Sequence, residues 1–243
     1  MNQKLAERLE ELHKQHPDMG YRRLNDKLYH DDKIDVNDKR ILRICRKKQI
    51  KSTLKHRYDG CTRPSRNPGF IAENVLNRDF HADNPNEKWV TDVTEFHVGQ
   101  EKLYFSPLMD LANREIIAYN FATRPKFSLV KSMLEQRLSR IKPTECPIIH
   151  SDQGVLYGSA EWIKMLEGKA VQSMSRRGNC YDNAVIESFF AILKSECFYS
   201  RTYHSIAELQ AEIEEYLVYY NQKRIKLGLK GLSPVQYRAQ YLS

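Results

Sequence analysis

From Trp89 to Leu193 the apolar residues change their period several times, and that order constrains the fold more than any other feature of the chain. "KWVTDVTEFHV" alternates as a strand does, "GQEK" supplies a turn, and "LYFSPLMDLA" and "REIIAYNFAT" read as two further strands parted at "NR". "KFSLVKSMLEQRLSRI" then has the period of an amphipathic helix. "CPIIHSD" is a short buried strand that ends in acid, "SAEWIKMLEG" a helix capped by Ser159, and "KAVQSMS" a strand leading to the apolar helix around Glu187. Three strands on tight turns, then strands alternating with helices, predict an α/β fold. Its expected sheet is mixed, three antiparallel strands followed by two parallel ones, flanked by helices. A long helix, "SIAELQAEIEEYLVYYNQKR", and a short one opened by Pro234 follow. Leu209, Ile213, Tyr216, Leu217 and Tyr220 on the long helix read as core or as a subunit contact.

Ahead of this pattern the chain is helical and basic. "NQKLAERLEELHKQH" sets Leu5, Leu9 and Leu12 at helical spacing and stops at Pro17, and "GYRRLNDKLYHD" places Leu24 and Leu28 four apart. "VNDKRILRICRKKQI" offers Asn37 as cap and Ile41, Ile44 and Cys45 as a buried line, leaving Arg40, Arg43, Lys47 and Lys48 outside. Short helices ending in a basic one resemble a helix-turn-helix, whose last helix can enter a major groove. Residues 1–70 hold 18 Lys and Arg against 10 Asp and Glu, whereas 71–243 hold 21 of each, so the net +8 lies in the first segment. That asymmetry points to a polyanion, nucleic acid first, against the plainer reading of a soluble basic helix pair. The polar, proline-broken stretch 51–85 reads as a linker. The expected layout is therefore a basic helical module over 1–50, that linker, an α/β core over 86–200 and a helical tail over 201–243.

Several classes are excluded. No apolar run approaches the ~20 residues a membrane span requires, and "MNQKLAERLEELHKQ" is no signal peptide, so no membrane contact and a cytoplasmic location are expected. Five cysteines (45, 61, 146, 180 and 197) are scattered without a C-x-x-C pair, and His13 and His16 have no such pair to join. Neither a disulfide framework nor a zinc site is indicated.

Three carboxylates sit where such groups are costly. Asp92 lies within a strand pattern, on one face with Val90 and Thr94, and Asp152 ends the apolar strand "PIIHSD". Glu187 falls opposite the apolar stripe Val185, Phe189, Ile192 and Leu193, with Asn183 and Lys194 on its own face. If these acids converge, their repulsion makes a cation the natural partner. Hard oxygen donors without His or Cys favour Mg²⁺ or Mn²⁺. A pair of such ions about 3.5–4 Å apart serves phosphodiester chemistry by activating one oxygen and stabilising another. Among 31 acids some such trio always exists, so spacing alone does not select it. Asp110 reads instead as strand-end or turn chemistry and Asp182 as a helix-start residue.

The words around the acids do select them. "WVTDVTEF", "HSDQGVLYGS" and "SRRGNCYDNAVIESFFAILKSE" resemble, nearly phrase for phrase, the transposases of bacterial insertion sequences, in particular the OrfB-type subunit of the IS-three family. Those group with retroviral integrases in the DDE superfamily, so the resemblance implies an RNase H-like catalytic core. Asp152 and Glu187 have 34 residues between them, the family's spacing, and Lys194 falls where the family carries a basic residue. "GYRRLNDKL" with "VNDKRILRICRKKQI" is similar to its helix-turn-helix segment and "YYNQKRIKLGLKGLSPVQYR" to its C-terminal tail, so the likeness spans nearly the whole chain.

The resemblance implies a metal-dependent DNA transposase that cleaves element ends and transfers strands. Asp92, Asp152 and Glu187 would be its catalytic metal ligands for two Mg²⁺ or Mn²⁺ ions. Lys194 would contact DNA near the reacting end, and Asn183 and Ser151 would line the site. Gly20, Tyr21, Arg22 and Arg23, with Arg40 and Arg43, would serve DNA contact or structure, Tyr21 equally well as a core aromatic. Implied partners are double-stranded DNA, as terminal inverted repeats and target, and further copies of the chain in a nucleoid-associated homo-oligomer. The family enzyme is commonly a fusion whose upstream OrfA part adds a leading helix-turn-helix and a zipper-like helix. Neither pattern is visible here, which implies an OrfB product or a piece of the fusion, with OrfA as a candidate partner. The zinc module of retroviral integrases is not seen either. Two alternatives stay open at this point: a DNA-binding regulator of transposition that does not cut, and an RNase H-like nuclease without strand transfer.

Overall fold

A computed structural model describes residues 2–54 and 70–242; residues 55–69, the middle of the expected linker, lie outside the described residues. The described chain divides into two units, 2–54 with 218–237, and 70–217 with 238–242.

The first unit opens with α1 (Asn2–Gln15), α2 (Tyr21–Asp32) and α3 (Asp38–Lys47). Leu5, Leu9, Leu12, Leu24, Leu28, Ile41, Ile44 and Cys45 are buried together, as their spacing predicts, with Tyr21 partly buried against them. Asn37 caps α3, its side chain accepting the Lys39 N–H at 2.8 Å. Ile225 completes this cluster, so part of the expected tail belongs with the N-terminal helices. The turn that carries it in approaches closely at Gly231. There φ is +72°, and a Cβ would meet Asp26 Cβ at 2.8 Å, so only glycine fits.

The second unit is built on one sheet: β1 (Lys88–Thr91), β2 (Thr94–Val98), β3 (Glu101–Asp110), β4 (Ile116–Ala122), β5 (Ile148–Ser151) and β6 (Val171–Met174). β3 pairs antiparallel with β4 on one edge and with β1 and β2 in succession on the other, while β1, β5 and β6 run parallel side by side. The mixed sheet is the expected one, with a single difference. "KWVTDVTEFHV" is two strands, because Asp92 and Val93 leave the ladder. Thr91 faces Leu108 and Thr94 faces Phe105, so one register is kept and the break lies opposite Pro107 and Ser106. Proline has no N–H to give a neighbouring strand, and the pairing fails there. Thr91 Oγ1 donates instead to the Pro107 carbonyl at 2.8 Å.

Helices cover both faces of the sheet. α4 (Phe127–Leu138) and α5 (Ala160–Leu166) pack Val130, Met133, Leu134, Trp162 and Leu166 against Trp89, Leu108 and Ile149. Ser159 caps α5 by accepting the Trp162 N–H at 3.2 Å. On the other face α6 (Ala184–Leu193) sets Phe189 and Phe190 each 6.5 Å from the Phe105 ring. That aromatic pair fixes the helix rotation, so the buried line is Ile186, Phe189, Phe190 and Leu193, while Val185 and Ile192, expected in it, are only half-buried. A π-turn over Lys194–Phe198 follows, then α7 (Ile206–Gln222) and α8 (Pro234–Tyr241). Leu209, Ile213, Tyr216, Leu217 and Tyr220 are all buried within the chain, which favours the core reading of α7. Residues 70–85, assigned to a linker by composition, are bonded to the core. Glu73 O accepts the Met174 N–H and Ser173 Oγ accepts the Leu76 N–H, covering the outer edge of β6. Among the described residues no helix is long and apolar enough to cross a membrane.

Candidate active site

Strand register brings the first two acids together. In the parallel pair β1–β5, Lys88 is level with Ile148 and Val90 with His150, so two residues further on Asp92 and Asp152 leave the sheet level with each other. This is the carboxyl end of neighbouring parallel strands, where α/β sheets place their sites. The ladder break at Pro107 is what frees Asp92 to turn out of the strand.

Each aspartate is held locally. Asp92 Oδ1 accepts the Val93 N–H at 2.7 Å and its Oδ2 accepts Asn183 Nδ2 at 3.3 Å. Asp152 Oδ1 accepts the Gly154 N–H at 2.9 Å. A Cβ on residue 154 would stand 2.8 Å from that same oxygen, so the glycine of "HSDQG" is the residue that lets the carboxylate fold back over its own turn. Glu187 lies in the first turn of α6, exposed at the rim.

The three acids feel one another. Burial first, then the charge of Asp152 and the weaker one of Glu187, push Asp92 well above the usual carboxylate range against the opposing Val93 N–H. Burial also raises Asp152, against the Gly154 N–H, and burial with the Asp152 charge raises Glu187, whose exposed side chain water screens. No side-chain cation among the described residues offsets any of the three. Beneath them Tyr157 is buried, its phenol 3.4 Å from Thr91 Oγ1, and burial and the charges of Asp92 and Asp152 hold its proton on. His150, buried beside Ser173, is pushed down to about 4 by desolvation and stays neutral.

These residues suit a hard divalent cation. The donors are carboxylate oxygens, they repel one another without compensation, and the buried Asn183 Oδ1 has no hydrogen-bond donor. Among the described residues no three His, Cys, Asp or Glu side chains already stand in metal-binding geometry.

The other expected residues divide. Asn183 is buried and reaches Asp92. Ser151 is buried at the end of β5 but spends its hydroxyl on the Asp152 carbonyl at 3.0 Å, so it supports the turn rather than lining the site. Lys194 Nζ rests 5.7 Å from the centroid of the Phe96 ring. In the first unit Arg43 is exposed, Arg22 is 61% exposed and Arg40 is half-buried on α3. Arg23, expected on the DNA side, is turned inward. Its guanidinium donates to Asp18 O at 2.6 Å and Oδ2 at 3.0 Å, which leaves the side chain 12% exposed. Asp182, read as a helix-start residue, does stand just ahead of α6, but its carboxylate is bound to Arg176, Arg78 and Asn74. Two arginines ahead of it in "SRRGNCYD" were the available sign. Asp110, read as turn chemistry, accepts the N–H groups of Asn86 and Ala112.

Residues 82–180 and 187–242 match Integrase core domain families, and residues 1–58 match an HTH-like domain. InsK of insertion sequence element IS150 from Escherichia coli (strain K12), which carries a transposase name, is 46% identical over 91% of this chain and 77% of its own length. The transposase InsF of insertion sequence IS3fB from the same organism is 35% identical over 71% of this chain and 61% of its own. Among solved structures, the HTLV-2 integrase catalytic core domain in complex with magnesium aligns with a TM-score of 0.50 at 17% identity, over 63% of this chain and 97% of that one. That similarity concerns the fold, and it is the one the sequence resemblance implied.

Proposed function

This chain belongs to the insertion-sequence transposases that carry an integrase core domain, and from that premise we propose that it cleaves the ends of its element and joins the freed strand to a target, using Asp92, Asp152 and Glu187 as metal ligands. The observation that carries this reading is the placement of Asp92 and Asp152 level at the ends of β1 and β5, with Glu187 close enough to raise Asp92 and no side-chain cation among the described residues to balance them. Bound there, a pair of Mg²⁺ or Mn²⁺ ions would supply activation of an attacking oxygen and stabilisation of a leaving one. The chain's own residues do the rest. Asp92 is held in place by the Val93 N–H and by Asn183, and Gly154 leaves room for the Asp152 carboxylate to present its second oxygen.

Lys194 is parked on Phe96 and would exchange that ring for a DNA phosphate at the reacting end. The outward side of α3, with Arg40 and Arg43, and Arg22 on α2 would track the backbone of the terminal repeats. In cleavage, water displaces the 3′-oxygen of one phosphodiester; in joining, that 3′-hydroxyl displaces another, so one phosphodiester replaces one and no covalent enzyme adduct is required. Two ends and a target call for more than one copy of the chain, and OrfA is a candidate for end recognition.

The test is an assay of the purified chain, with and without OrfA, on a terminal-repeat duplex in Mn²⁺ or Mg²⁺. Nicked and joined products are expected. Nicks without joining would identify a nuclease, and no product under any of these conditions would identify a regulator.

A further inference from the structure

The loop from β6 to α6, "SRRGNCYDNA", carries the groups that set the far side of the site, and loops of this polarity are ordinarily mobile. Here it is pinned. The Asp182 carboxylate is completely buried and accepts five hydrogen bonds. Arg176 grips it with its backbone N–H at 3.0 Å, Nε at 2.8 Å and Nη2 at 2.9 Å; Arg78 Nε reaches it at 2.6 Å and Asn74 Nδ2 at 3.1 Å. A forked arginine on a desolvated carboxylate is among the strongest polar contacts a protein makes. These donors hold Asp182 well below the usual carboxylate range, so it is charged at neutral pH. Arg78 and Asn74 come from the segment along β6, so the loop is tied to the scaffold and not only to itself.

None of those bonds goes to the start of α6, and Asp182 does not figure among the groups that shift the three acids. Its influence runs through the chain. Asn183 comes next, buried with its amide on Asp92, and Ala184 opens the helix whose first turn carries Glu187. We infer that Asp182, clamped by Arg176, Arg78 and Asn74, is a positioning residue: it fixes the turn that presents Asn183 and Glu187 to the two strand-end aspartates. The inference rests on reading those three acids as the metal ligands.

The test uses the full chain with Asp182→Asn and Arg78→Gln, measured by hydrogen exchange of residues 176–187 without metal, by Mn²⁺ binding without DNA, and by cleavage kinetics. Asp182→Asn is expected to speed exchange in that loop, weaken Mn²⁺ about tenfold or more and lower kcat similarly, with KM for DNA unchanged. Arg78→Gln, at a side chain 44% exposed, is expected to move the same readouts less, and Arg78→Lys to restore part of them. Unchanged Mn²⁺ affinity and loop exchange in both variants would overturn the inference, as would a raised KM alone, which marks a DNA contact. Should Asp182→Asn fail to fold, Arg78→Gln decides by the same criteria. Asp92→Asn separates the two levels: if it is inactive the ligand reading stands whatever Asp182 does, and if it cleaves normally that reading falls first.

Discussion

Replacing Asp92 by asparagine should stabilise the metal-free protein. The substitution keeps the shape of the side chain, and one oxygen can still accept the Val93 N–H. The new amide nitrogen faces Asn183, whose buried Oδ1 lacks a donor, so rotation of that amide restores the second bond. What disappears is charge. At the roughly 4–6 Å over which neighbouring carboxylates perturb one another, two like charges repel by about 3 kcal/mol at an effective dielectric of about 20. Solvent at the Glu187 rim reduces this, and a net gain of about 1–3 kcal/mol corresponds to about 2–12 °C in Tm for a unit of this size.

The pH dependence carries the sign. Asp92 is raised in the folded state, so its contribution is intact below the ordinary carboxylate pKa of about 4 and is lost as pH rises through the folded value. The difference between variant and parent should therefore vanish near pH 4 and grow towards pH 8. Thermal melts in EDTA across that range give the measurement, and repeats in Mg²⁺ should stabilise the parent but not the variant. A variant less stable than its parent at pH 8 in EDTA, or a difference flat in pH, would refute the reasoning.

Gly154→Ala should lower Mn²⁺ affinity about tenfold by displacing the Asp152 carboxylate, while changing stability by less than about 1 kcal/mol, because the clashing atom is the end of a side chain; calorimetry and melts read the two. Lys194→Met keeps the packing on Phe96 but removes the ammonium, so cleavage should slow about tenfold with little change in Tm. Arg40→Ala and Arg43→Ala should each reduce the slope of log binding constant against log salt by about 0.9 for every phosphate left without its cation, read by fluorescence anisotropy on end DNA.

The sequence carried the order of the elements, because two-residue and helical periods are local properties. The caps at Asn37 and Ser159 were legible for the same reason. The three acids were singled out by the phrases around them and not by any local period. What escaped depended on partners distant in the chain. The break at Asp92 is imposed by Pro107, a residue across the strand, and the stretch 70–85 looks like a linker until its N–H and C=O groups meet β6. Arg23 has the composition of a DNA contact and the position of a structural one, because Asp18 is folded back beside it. Asp182 resembled a helix-start residue since that is the nearest use for an aspartate there, whereas two of its three partners, Arg78 and Asn74, lie about a hundred residues away, and only Arg176 is close in the chain.

The most direct measurement is anomalous diffraction from a crystal of the chain soaked in Mn²⁺. Density among the carboxylates of Asp92, Asp152 and Glu187, absent in Asp92→Asn, is the predicted result. Mn²⁺ density elsewhere in the core, or none at a concentration that supports cleavage, would contradict the assignment.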